Sequence, residues 1–305
     1  MSQNSDILRY FREKLPELQI NEQVSMKERT SFRIGGPCDV MLLPKSAAEL
    51  RAAWLALREL GVRPLVLGAC TNVLIPDEGL RGVVIETRDG LGALRQVDDT
   101  HIEAECGATL AKLSLLAASL DLAGLEFAQG IPGSVGGGVY MNAGAYGGEI
   151  RQTAEKTATL TGDGTPRDYV GGEQGFHYRG SAFQNMDGMI LSTVFALQKG
   201  SHEEIRAKMQ DFSQRRREKQ PLELPSAGSA FKRPEGHYAA ALIEEAGLKG
   251  FRVGGAAVSE KHAGFLVNLG GATAKDVLSL VEQVQKRVLE TSGVELEPEI
   301  RLFRG

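Results

Sequence analysis

The chain has 305 residues, a formal net charge of -4 and 42% hydrophobic side chains, which describes a globular protein long enough for two or three domains. A pI near 5.9 leaves no chain-wide basic field for nucleic acid or an anionic membrane surface. Cys38, Cys70 and Cys106 lie far apart without CxxC spacing, so neither a disulfide framework nor a zinc site is expected and a reducing cytoplasm fits. Asp6, Arg9, Arg12 and Glu13 break up the opening segment, so no secretory signal is expected there. No run reaches the ~20 apolar residues of a membrane span.

Asp39 to Leu43 reads as a short strand. Ser46 and Glu49 form a capping box for a helix with Leu50, Trp54, Leu57 and Leu60 on one stripe, and Gly61 ends it. Pro64 to Leu67 completes a β-α-β unit with an expected right-handed crossover. A glycine loop, Gly68 to Leu74, follows, in which Asn72 can bond locally or reach a ligand. Arg81 to Glu86 and His101 to Cys106 are strands, the second with Ile102, Ala104 and Cys106 on one face. A helix is predicted from about Thr109 to Leu122, with Gly124 as its C-cap.

Gly130 to Gly148 then reads GIPGSVGGGVYMNAGAYGG, eight glycines in 19 residues. Apolar residues interrupt the glycines, unlike a linker, so the run is expected to be ordered backbone that turns left-handed or lies against a ligand. Gly162-Asp163-Gly164 signals a hairpin between Glu155 to Thr161 and Thr165 to Val170. Met189 to Leu197 is a buried strand. A charged helix runs from His202 to about Lys219 before Pro221, with a domain boundary around Gly200. Thr273 caps a helix bearing Val277, Leu280, Val281, Val284 and Val288, and Gly293 terminates it. Val294 to Phe303 alternates as a last strand, giving an α+β chain.

The chemistry follows from what is present. No GxGxxG follows a strand and no GxxxxGK[ST] occurs, so Rossmann and P-loop nucleotide sites are unsupported. Two nearly uncharged glycine loops suit backbone anion nests holding a pyrophosphate, and the apolar residues beside them suit a flat ring, which favours a flavin dinucleotide. Arg179 in Phe176 to Ser181 has the fork to hold a carboxylate, although alone it reads as a surface ion-pair partner. Ser226 to Pro234 is a capped turn or a polar site. The five histidines show no ligand spacing, so no metal is expected.

In order, SFRIGGP, GACTNVLI, GIPGSVGGGVYMNAGAYGGEI, YRGS, KQPLELPSAGSAFKRP, EEAGLKG, SEKHAGFLVN and LEPEIR resemble the UDP-N-acetylenolpyruvoylglucosamine reductase (MurB) family over nearly the whole chain. The resemblance implies an α+β fold: a two-lobed FAD-binding domain of the vanillyl-alcohol-oxidase (PCMH) type at 1-200 (lobes about 1-88 and 89-200). A smaller α+β substrate-binding domain at 201-293 and a strand at 294-305 returning to the active site would follow. It implies FAD held by Gly68, Ala69, Cys70, Thr71, Asn72, Val73 and Leu74 together with Ile131, Pro132, Gly133, Ser134, Gly137, Asn142 and Ala143. NADPH would reduce the flavin at N5 and leave. UDP-N-acetylglucosamine enolpyruvate would then take the hydride at its terminal alkene carbon.

By position, Arg179 and Glu299 would bond the enolpyruvyl carboxylate and Ser229 would protonate the adjacent carbon. Charge builds on that carboxylate as the hydride adds, so donors aimed at its oxygens favour the transition state. An ionised Glu299 would repel it, so a raised pKa and a donated hydrogen bond are expected. Tyr178, Lys219, Lys232 and Arg233 are candidate substrate contacts. The spacing from Arg179 to Ser229 leaves no room for the tyrosine-bearing insertion of longer members, which is the pattern of the shorter class. Arg233 stands where many relatives have asparagine. A monomer without nucleic-acid or membrane partners is expected. The competing readings are an FAD oxidase of the same fold and a non-catalytic nucleotide-sugar binding protein.

Overall fold

The computed structural model describes residues 3-88 and 90-303; Arg304 and Gly305, the end of the expected terminal strand, lie outside them. By packing, the chain divides into two compact units that interleave in sequence: 1-22, 40-69 and 82-214 in one, and 23-39, 70-81 and 215-305 in the other. A contiguous division near Gly200 does not describe this packing, because two short early segments pack with the later residues.

In the first unit, α1 (Gln3–Lys14) buries Ile7, Leu8 and Phe11. The short α2 (Met26–Arg29) belongs to the second unit; in the first comes α3 (Ala47–Glu59), whose Leu50, Ala53, Trp54 and Leu57 are buried as the stripe predicts. Ser46 accepts from the Glu49 N–H, but Glu49 reaches back to the N–H of Lys45, one residue before the predicted box. The strand Leu80–Glu86 lies between Pro37–Leu43 and Leu65–Leu67 and pairs in parallel with the latter. The two outer strands of the predicted β-α-β unit are therefore not neighbours, since a later strand inserts between them. A five-stranded antiparallel sheet orders Pro166–Val170, Ala154–Thr161, Gly188–Ala196, His101–Glu105 and Leu94–Gln96. The predicted hairpin is its edge, with the Thr161 N–H on the Thr165 carbonyl and Gly164 at φ +81°.

Helix α4 (Leu110–Ser119) is capped by Thr109 as expected at its start, but its C-cap is Leu120. The left-handed residue that follows the cap is Asp121 at φ +55°, while Gly124, at φ +122°, lies three residues further on and does not close the helix. Tertiary bonds hold this residue, whose carbonyl accepts from the Gly200 N–H and whose carboxylate meets His202 Nδ1 at 2.8 Å. Aspartate tolerates that conformation better than most non-glycine residues. The glycine run itself forms α5 (Val135–Tyr140), and α6 (His202–Lys219) begins in this unit.

In the second unit, Ser226–Ser229, Phe265–Asn268, Ala256–Val258 and Arg252–Val253 form an antiparallel sheet in that order. With α7 (Ala239–Glu245) comes α8 (Ala274–Ser292), whose apolar stripe of Val277, Leu280, Val281, Val284 and Val288 is buried. Thr273 and Asp276 cap α8 reciprocally, and Gly293 at φ +72° closes it. Asp77 also accepts from the Ala274 and Lys275 N–H groups, at 2.8 and 3.1 Å. The last predicted strand is regular only at Arg301–Leu302, which pairs in parallel with Val73–Leu74. Pro298 cannot donate to a ladder; around it the chain meets Phe231 instead, with Leu296 and Ile300 buried. No helix among the described residues is long and apolar enough to cross a membrane. Cys38, Cys70 and Cys106 are buried and form no disulfide among the described residues.

Candidate active site

The two glycine loops touch within the first unit. A Cβ at Gly68 would overlap the Ser134 hydroxyl and stand 3.3 Å from its Cβ. That hydroxyl caps α5, accepting from the Gly137 N–H at 3.3 Å. The segment before α5 is bonded to the turn at 106-110: Leu110 N–H to the Gly133 carbonyl, and Val135 and Gly136 N–H to the carbonyls of Ala108 and Cys106. Several glycines of the run answer to packing inside the protein. A Cβ at Gly136 would stand 2.9 Å from that of Cys106, one at Gly138 3.1 Å from Leu110 Cδ1, and one at Gly148 would overlap the Phe127 ring. Gly133 and Gly147 are the two with positive φ, +153° and +86°.

Asn142, among the expected cofactor residues, is fully buried at φ +43°. Its amide donates to Glu149 at 3.1 Å and to the His177 carbonyl at 2.9 Å, while its oxygen accepts from the Arg151 N–H at 3.0 Å. Its side chain therefore fastens the glycine run to the turn that carries Tyr178 and Arg179. That turn closes by reciprocal backbone bonds between His177 and Gly180. Arg179 is left-handed, φ +56°; its Nη2 donates to the Gly144 carbonyl at 3.3 Å and its guanidinium lies 5.1 Å from the Tyr178 ring centre. Ser181 Oγ donates to the Tyr140 carbonyl, and Gln184 Nε2 to the carbonyls of Tyr140 and Arg179. Gln184 carries no motif in sequence, and only the fold reveals it as a support for Arg179.

Between Ala69 and Cys70 the chain passes from the first unit to the second. Cys70 is left-handed at φ +52° and buried, and its carbonyl accepts from Ser31 N–H at 3.2 Å. Ser31 Oγ in turn donates to the Thr71 and Ser226 carbonyls. Asn72 Nδ2 donates to the Glu299 carbonyl at 3.2 Å.

Glu299 pairs by its backbone with Ala230, the residue after Ser229, some seventy residues earlier in sequence. Ser226 faces Val267 and Ser229 faces Phe265, so one extra residue bulges between them, with Gly228 at φ +77°; a bulge re-aims the side chain that follows it. Ser229 is exposed and Glu299 half-buried. The Glu299 N–H donates to the Ala230 carbonyl at 2.8 Å, and the Lys232 N–H to the Glu297 carbonyl at 2.8 Å. Lys232 Nζ pairs with Glu297 at 2.5 Å, and Arg233 lies 4.0 Å over the Tyr238 ring centre. Lys219 ends α6. Arg179 belongs to the first unit and Ser229 and Glu299 to the second.

These features fit a dinucleotide. Gly68 against Ser134 leaves no side chain on the loop there, and the segment Gly68 to Leu74 carries no ionised group to repel a pyrophosphate. Residues 38–168 match a family model described as FAD binding domain. Residues 220–303 match the C-terminal domain of UDP-N-acetylenolpyruvoylglucosamine reductase. The UDP-N-acetylenolpyruvoylglucosamine reductase of Syntrophomonas wolfei is 48% identical over 94% of this chain and 96% of its own. That of Clostridium novyi is 44% identical over 99% and 98%. The chain belongs to the UDP-N-acetylenolpyruvoylglucosamine reductase family. A crystal structure of UDP-N-acetylenolpyruvylglucosamine reductase (MurB) from Thermus caldophilus superposes with a TM-score of 0.80 at 35% identity, covering 94% of this chain and all of that one. The family thus joins an FAD-binding domain to its own C-terminal domain, in a fold of mixed helix and sheet.

Proposed function

We propose that this protein reduces UDP-N-acetylglucosamine enolpyruvate to UDP-N-acetylmuramate with NADPH, as a cytoplasmic monomer supplying peptidoglycan synthesis. The substrate gains one hydride and one proton while NADPH becomes NADP⁺. FAD, when bound, would supply the two-electron relay between NADPH and the alkene. The loops Gly68 to Leu74 and Ile131 to Ala143 would hold the FAD.

Arg179 binds the enolpyruvyl carboxylate through its planar fork, oriented by the Gly144 carbonyl and by Gln184 beneath its own carbonyl. Glu299, in its protonated form, donates to the same carboxylate and steadies the charge that builds there. Ser229 gives its proton to the carbon beside it. Tyr178, Lys219, Lys232 and Arg233 contact the sugar nucleotide. The observation that most supports this reading is the hydrogen-bonded pairing that sets Ser229 next to Glu299, through Ala230, in a family whose members bear that name. The purified protein should be yellow; anaerobic NADPH should bleach it, and the enolpyruvyl sugar nucleotide should restore the colour. A colourless protein, or re-oxidation by oxygen alone, overturns the proposal.

A further inference from the structure

The Gly68 to Leu74 loop and the residue proposed as the carboxylate's second donor are joined by a short hydrogen-bonded ring. Asn72 Nδ2 donates to the Glu299 carbonyl at 3.2 Å, and the Asn72 carbonyl accepts from the Arg301 N–H at 3.0 Å. Two residues further along each segment, Phe303 N–H donates to the Leu74 carbonyl at 3.1 Å. On the other side, the Glu299 N–H is held by Ala230, next to Ser229. Between these anchors Ile300 is buried. The backbone of Glu299 is thus fixed at its N–H by the Ser229 strand and at its carbonyl by Asn72, so its carboxyl moves only by side-chain rotation.

We propose that Asn72 is a positioning residue: its carboxamide holds Glu299 where the carboxyl must stand, and so ties the cofactor loop to the substrate's carboxylate. The inference rests on the proposed reductase reaction, but the geometry that carries it does not. An asparagine suits this task because it donates to a carbonyl without bringing charge beside a flavin pyrophosphate. Aspartate, of equal shape, would set a carboxylate against that carbonyl. The loop then serves FAD with its backbone and Glu299 with its side chain.

The test uses the whole chain. Amide exchange of the 299-303 segment, followed by mass spectrometry, should be about tenfold faster in Asn72→Ala and Asn72→Asp than in the parent, the size expected for losing one net hydrogen bond. Turnover should fall about tenfold in both, with Asp no better than Ala although it fills the same space. In a Glu299→Ala background, Asn72→Ala should cost less than twofold further, because no donor is left at 299 to position. Losses that multiply, unchanged exchange, or an Asp variant that matches the parent would overturn the inference. A variant that folds but loses its flavin would overturn it too, by giving the carboxamide to the cofactor. Should the parent itself bind no flavin, the reductase reading fails while the exchange result still decides the role of Asn72.

Discussion

Gly68→Ala is the sharpest probe of the loop contact. The added methyl would overlap the Ser134 hydroxyl and lie 3.3 Å from its Cβ. If Ser134 stays, the overlap costs about 1–3 kcal/mol, as overpacking usually does. If it rotates away, the Gly137 N–H loses its acceptor, and a lost N-cap costs about 1 kcal/mol. Alanine also restricts the unfolded chain, which returns roughly 0.4–1 kcal/mol. The net loss is about 1 kcal/mol, or ~2–4 °C in Tm for a unit of this size. Ser134→Gly alone should lose only a few tenths of a kcal/mol, because glycine is an adequate N-cap. In the double variant the overlap is gone, so stability should return to within ~0.5 kcal/mol of the parent, a coupling that independent sites do not show. Thermal melts of the four proteins and their flavin-to-protein absorbance ratios decide the matter. A Gly68→Ala protein that melts within about 1 °C of the parent and keeps its flavin would refute the reasoning, as would losses that simply add.

Ser229→Ala should still be bleached by NADPH while sugar-nucleotide turnover nearly vanishes; turnover within about tenfold of the parent would remove Ser229 as proton donor. Glu299→Gln should retain more activity than Glu299→Ala, since the amide still donates; equal losses would count against a protonated Glu299. His101 bonds Asp98 at 2.8 Å and Glu155 at 3.0 Å, and the Asp98 bond, foremost, raises its pKa. Its contribution to stability is therefore full below the ordinary histidine value near 6.5 and is lost as pH rises through the higher folded value. Asp98, held down to about 2 chiefly by the Thr100 backbone N–H, contributes above its ordinary value near 4 and loses that as pH falls toward 2. The Tm gap between parent and His101→Gln should shrink as pH is raised from 6 to 9; a constant gap would contradict the assignment. Thr273→Ala should cost about 1 kcal/mol through the α8 cap, read as the shift in a urea midpoint.

What the sequence made legible was local. The Thr273 cap, the stripe of α8, Gly293 and the hairpin at Gly162 to Gly164 are decided by residues within a turn or two of one another. The family motifs carried the reductase resemblance, and with it Arg179, Ser229 and Glu299, although turn chemistry alone left Ser226 to Pro234 ambiguous. Long-range partners stayed hidden. Nothing near Asn142 announces that its carboxamide fastens the turn at His177, and nothing in LEPEIR shows one half meeting Phe231 and the other Val73. The glycine run misled in part for the same reason: Gly136, Gly138 and Gly148 are small because Cys106, Leu110 and Phe127 stand against them. Asp121 rather than Gly124 closes α4 because distant residues hold it.

The interleaving of the two units has an evolutionary consequence. A gene fragment cut at 214 would not deliver the second unit, since 23-39 and 70-81 would remain behind in the first. Neither unit can be exchanged between proteins as a single cassette by one recombination event. The loop that crosses at Ala69 and the strand that answers it at Arg301 must be inherited together, so the two halves are bound to diverge as one lineage.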